Sequence, residues 1–136
     1  MRAVLLDTCA LIWLGFNSEE LTPKMREAIE TASVLYVSPV SLWEIALKHK
    51  KGKLTLKTSP REWYSRVQRE YGIMFLPLTP GPAFRSVELP DIHNDPADRF
   101  IIATALENDL PVVTSDDKFE KYGVKTWRSK TTHCLF

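Results

Sequence analysis

An α/β fold, a three-layer α/β/α sandwich around a mainly parallel sheet, is what this 136-residue sequence predicts. Three observations carry the expectation. Residues 3–6 and 111–114 are short apolar runs without alternation, as suits parallel strands covered on both faces. Segments of helical spacing separate the strands, so the two element types alternate as they do in parallel sheets with right-handed crossovers. Helix starts are marked by a polar cap followed by proline, as at Thr22-Pro23, Ser38-Pro39, Ser59-Pro60 and Asp95-Pro96.

Taken in order, the first strand (3–6) runs straight into Asp7 and Thr8. The apolar segment 10–16 then predicts a helix whose N-terminal amides would help to hold an anion. Met25, Ala28, Ile29 and Ala32 recur at helical spacing after the Thr22 cap. A strand at 34–37 precedes a helix at 40–51, with Gly52 as its stop. Trp63, Val67 and Tyr71 mark the buried stripe of the next helix, which ends at Gly72. A third strand is expected at 73–78 and a short helix from Thr79-Pro80. The helix opened by Asp95-Pro96 is apolar over most of its circumference, through Phe100, Ile101, Ile102, Ala103, Ala105 and Leu106, as expected of one packed inside the domain. Strands at 111–114 and 124–127 complete the sheet, with Ser115 and Asp116 at the carboxyl end of the first of these.

The chain has the length of one domain, spanning 1–136, and a formal net charge of +1, so a nucleic-acid role must rest on local patches. Two cysteines, Cys9 and Cys134, and the lack of a signal-like or membrane-spanning run suggest a reducing, cytoplasmic setting. Cys9 reads as a packed thiol rather than a nucleophile, and His49, His93 and His133 lack zinc-ligand spacing with the cysteines. Trp13, Trp43 and Trp63 read as core or interface residues.

The chemistry lies in four acids. Asp7 and Asp116 end strands, where open parallel sheets bind ligands. Glu44 follows a strand on a helix and Asp98 starts another, so all four can converge on one sheet edge. Four carboxylates in one cleft raise one another's pKa unless a cation compensates them, and an all-oxygen site suits Mg²⁺ or Mn²⁺ better than zinc. Each acid also has a plainer explanation: Asp98 and Asp95 complement a helix dipole, Glu44 pairs with Lys48 four residues on, and Asp116 caps a turn. Asp7, directly after four apolar strand residues, resists such treatment. The basic run of Lys48, His49, Lys50, Lys51 and Lys53 fits either a solvated helix C-terminus or a phosphate track.

Four segments, LLDTCALIW at 5–13, VSPVSLWEIALKHKKGKL at 37–54, HNDPADRFIIATAL at 93–106 and LPVVTSDDKFEKYGV at 110–124, occur in an order that resembles the PIN-domain ribonucleases, and among them the toxins of VapBC-type toxin–antitoxin systems. The resemblance implies an endoribonuclease that uses Mg²⁺ or Mn²⁺ and is held inactive by a cognate antitoxin protein, with a homodimer as its expected assembly. It implies Asp7 and Asp98 as the main metal ligands, Asp116 as completing the shell and Glu44 as binding metal or positioning water. Thr8, Thr114 and Ser115 match supporting polar positions. Cys9 and Ala97 depart from the histidine and phenylalanine frequent in similar toxins. A stand-alone RNA-processing nuclease and a non-catalytic RNA-binding module are the alternatives. A receiver domain would need an aspartate ending the middle strand, and a haloacid-dehalogenase-like phosphatase would need Asp-x-Asp where Asp7, Thr8 and Cys9 stand.

Overall fold

The computed structural model describes residues 2–128, so Cys134 and His133 lie outside the described part. In chain order the elements are β1 (Ala3–Leu6), α1 (Thr8–Gly15), α2 (Pro23–Thr31), β2 (Val34–Val37), α3 (Pro39–Lys50), α4 (Pro60–Tyr71), β3 (Met74–Phe75), α5 (Pro80–Glu88), α6 (Pro96–Glu107), β4 (Val112–Thr114), a 3₁₀ helix (Asp117–Tyr122) and β5 (Thr126–Arg128). The strands lie in the order β3-β2-β1-β4-β5 and every pairing is parallel. The chain therefore builds outward from β1 in one direction, returns over the sheet, and builds outward in the other. β1 and β4 flank the resulting switch point, the place where such sheets open a crevice beyond their carboxyl ends. A receiver-like order of 2-1-3-4-5 is not what forms.

The unalternating strands are explained by two cores, one on each face. Val4 and Leu6 of β1 and Val113 of β4 point into the core built with α1, α2, α3 and α4, whereas Leu5 and Val112 point into the core built around α6. Side chains at successive strand positions face opposite ways, so a strand covered on both sides must be apolar throughout. Ile101, Ile102, Ala103 and Ala105 of α6 are all buried in the second core, together with Phe119 from the 3₁₀ helix. Among the described residues no helix is long and apolar enough to cross a membrane.

Several expectations change in detail. The third strand has two residues rather than six: Leu76 still donates its N–H to the Val37 carbonyl at 3.0 Å, but Pro77 has no N–H to continue the ladder. The last strand is displaced to Thr126–Arg128. α1 begins at Thr8 because Asp7 is its cap and accepts the Ala10 N–H, so the protein's own carboxylate occupies an amide that was expected to serve an anion. Of the three tryptophans expected in a core or an interface, Trp13 and Trp63 are in the core and Trp43 is 60% exposed, which leaves it the interface reading.

Trp63 also fixes the end of α1. A Cβ at Gly15 would lie 2.3 Å from Trp63 Cζ2, on a ring held in the core. Gly15→Ala is therefore expected to cost about 1–3 kcal/mol through overpacking, measurable as a lowered midpoint of urea denaturation with an unchanged slope.

Candidate active site

Asp7 leaves the end of β1 and is 4% exposed. Its Oδ1 accepts the Ala10 N–H at 2.8 Å and its Oδ2 accepts the Thr114 hydroxyl, so the cap of α1 and the end of β4 hold the carboxylate from two sides. The Thr114 oxygen in turn accepts the Asp116 N–H at 3.0 Å, which sets the turn that brings Asp116 back toward Asp7. Thr8 donates to Ser41 Oγ at 3.0 Å, joining the first turn of α1 to α3, the helix that carries Glu44.

All four predicted acids, Asp7, Glu44, Asp98 and Asp116, line one cavity of about 280 Å³, with Thr8, Cys9, Asp95, Ser115, Asp117 and Lys118. Asp95 caps α6, accepting the Ala97 N–H at 2.9 Å, which leaves the Asp98 carboxylate free of that duty and directed to the cavity. Glu44 does not pair with Lys48 among the described residues; its Oε1 is buried and has no hydrogen-bond partner. The run from Lys48 to Lys53 covers the end of α3 and the turn after it and is absent from the cavity lining, where Lys118 is the one Lys or Arg among the described residues. Cys9 packs on the core as expected, but not as a free thiol.

His93, which has no zinc-ligand spacing in the sequence, does not line the cavity itself but stands against two of its acids. Its Nε2 lies 2.8 Å from Asp98 Oδ2 and 2.9 Å from Asp116 Oδ2. The local signal for it is the density of acids, with Asp91, Asp95 and Asp98 all within five residues of the histidine. Arg99 organises the loop that carries His93. Its guanidinium donates to the carbonyls of Ser86, Leu89, Pro90 and His93, at 2.8–3.0 Å, joining the end of α5 to the start of α6. Arg99→Gln is expected to lose roughly 2–4 kcal/mol of stability, since several charge-assisted bonds to loop carbonyls vanish at once, and thermal melting would show it.

The electrostatics match the geometry. Burial first, then the neighbouring Asp98, pushes the Asp7 carboxyl up to about 7, against the opposing bonds from Thr114 and Ala10. Burial likewise raises Asp98 and Glu44, with further carboxylates adding to both. The His93 imidazole is raised chiefly by its bond to Asp98. A site that holds carboxylates above their ordinary range and leaves a buried carboxylate oxygen without a partner is one that a cation would satisfy. The donors are mostly oxygen, which fits Mg²⁺ or Mn²⁺.

A doubly covered parallel sheet with an acidic crevice at its switch point is the arrangement of a PIN domain, and the chain belongs to that family, whose match runs over residues 4–125. Within the family it is similar to Ribonuclease VapC22 of Mycobacterium tuberculosis, at 30% identity over 123 residues that span 90% of this chain and 93% of that protein. Among solved structures it is similar to the DNA-bound VapBC of Salmonella typhimurium, with TM-score 0.69 at 20% identity over 94% of this chain and 98% of that one. VapBC-5 of Mycobacterium tuberculosis superposes with TM-score 0.62 at 19% identity, over 95% and 100% of the two chains. At these identities the structural likeness shows a shared fold.

Proposed function

We propose that the protein is a metal-dependent endoribonuclease, the toxin of a toxin–antitoxin pair, whose activity resides in Asp7, Glu44, Asp98 and Asp116. The observation that carries this reading is the convergence of four acids from four separate elements on one cavity, three of them held above their usual pKa, in a chain similar over nearly its whole length to a ribonuclease. Asp7 and Asp98 would hold Mg²⁺ or Mn²⁺, with Asp116 completing the shell. The bound ion would supply Lewis-acid polarisation of the phosphodiester and charge compensation for the acids.

The chain's own residues account for the rest. Thr114 and the start of α1 fix the Asp7 carboxylate, so its oxygens are positioned before any ligand arrives. Glu44 Oε1, buried and without a partner, is available to orient the attacking water or to complete the shell. Lys118, which lines the cavity, would offer a positive charge to a phosphate there. An antitoxin would quench such a site by covering the cavity and presenting a cation to it, with the exposed Trp43 and the apolar groove of Leu42, Ala46 and Tyr64 beside it offering an anchor. The proposed assembly is a homodimer.

Purified protein is expected to cleave single-stranded RNA in Mn²⁺ or Mg²⁺ and to lose that cleavage on addition of EDTA, recovering it when the ion is restored. Cleavage that continues unchanged in EDTA would refute the metal-dependent reading.

A further inference from the structure

Building on the metal-dependent reading above, we propose that His93 supplies a nitrogen ligand to the divalent ion, between Asp98 and Asp116, and thereby biases the site toward Mn²⁺ over Mg²⁺. The Nε2 atom stands 2.8 Å from Asp98 Oδ2 and 2.9 Å from Asp116 Oδ2, and donor atoms of these three residues all lie within 4.8 Å of one another. Two ligands at right angles on an ion with bonds of about 2.1 Å are about 3 Å apart, so the spacing matches two edges of an octahedral shell.

Hydrogen bonding alone could give similar distances, and the way the residue is held argues for more. His93 is 9% exposed, and both of its backbone polar groups are fastened: its N–H donates to the Tyr122 hydroxyl oxygen at 2.8 Å and its carbonyl accepts from Arg99 Nη1 at 3.0 Å. Tyr122 itself donates to the Pro90 carbonyl, closing the loop on the 3₁₀ helix. The ring is thus delivered to the two carboxylates by a braced loop, which is how ligand-bearing segments are supported. Its other nitrogen, Nδ1, faces the Asp95 N–H at 3.4 Å. In this arrangement Nδ1 accepts and Nε2–H donates to the carboxylates, so an ion bound at Nε2 displaces the ring proton to Nδ1 and gives up the Asp95 contact, which at 3.4 Å is a weak one.

The selectivity follows from donor chemistry. Mg²⁺ takes oxygen ligands in a strict octahedron and keeps its water, whereas Mn²⁺, which also favours carboxylates, is a transition ion and accepts an imidazole nitrogen among them more readily than Mg²⁺ does. One nitrogen among carboxylates therefore lifts the affinity for Mn²⁺ more than that for Mg²⁺.

The test uses the full chain with Mn²⁺ as the probe. Pulsed electron paramagnetic resonance of the bound ion is expected to show nitrogen modulation in the wild type, changed to the ¹⁵N pattern when histidine is isotopically labelled, and absent in His93→Gln. Calorimetric titration should show the ratio of Mn²⁺ to Mg²⁺ affinity falling by about tenfold in His93→Gln. Mn²⁺ that binds the wild type, is lost in Asp7→Asn, and yet shows no nitrogen modulation would overturn the assignment while leaving the acidic metal site standing. No Asp7-dependent Mn²⁺ binding at all would overturn both. The labelled wild-type spectrum decides the matter even if His93→Gln does not fold.

Discussion

Asp7→Asn is expected to lower Mn²⁺-supported RNA cleavage by roughly a hundredfold or more while making the metal-free protein more stable at pH 8. Loss of activity follows because Asp7 is the acid most firmly positioned in the cavity, and even residues that merely orient a metal's ligands contribute ten- to hundredfold to affinity or activity. The gain in stability follows from burial. At pH 8 the carboxyl, pushed up to about 7, is charged while 4% exposed and close to Asp98, and the amide removes that charge. Asparagine keeps an oxygen for the Ala10 N–H, so the cap of α1 survives. The informative measurement is paired: melting without metal, and cleavage rate under saturating Mn²⁺. A variant that is less stable and still active would return Asp7 to a purely structural role as a helix cap.

The metal-free protein is also expected to lose stability steadily as the pH rises from about 4 to 8. Asp7 has a folded value of about 7 against an ordinary 3.8, so across that window the folded chain holds a proton that the unfolded chain has released. Stability contributed by such a group is present below the lower value and is lost as pH rises through the upper one. Asp98 and Glu44, also raised, act in the same direction, and the raised His93 gives a contribution that is lost above its own folded value. Glu120 is lowered by Thr126 and Arg128, but it lies at the surface, where screening leaves it little weight. For Asp7 the effect is roughly 2–4 kcal/mol, or about ten degrees in melting temperature for a domain of this size. Saturating Mn²⁺ at pH 8 should restore most of it, because an ion that binds only the folded form stabilises it and neutralises the charges that rising pH exposes. A melting temperature that is flat or rises from pH 5 to 8 in EDTA would contradict the buried-carboxylate description.

The alternation of elements, the capped helix starts and the unalternating strands were legible in the sequence because each is enforced locally. A strand covered on both faces has no polar side, proline after a polar cap has few other places to sit, and Asp7 after four apolar residues must be held by something. Those same constraints made three of the acids, Asp7, Asp98 and Asp116, recognisable where elements begin or end, whereas Glu44 lies in the middle of α3. What the sequence could not carry was the third dimension of the crevice. The strand order that puts β1 beside β4, and so Asp7 beside Asp116, depends on a crossover from β3 that no local pattern encodes. His93 was set aside for the same reason: its role comes from Arg99 and Tyr122, the latter 29 residues away, which aim its ring between two carboxylates. Trp43 and the shortened β3 show the reverse case, in which apolar residues suited to a core were left outside it because the sheet edge and α3 present them outward. Local chemistry determined which residues could serve a site; packing between distant elements decided which of them meet.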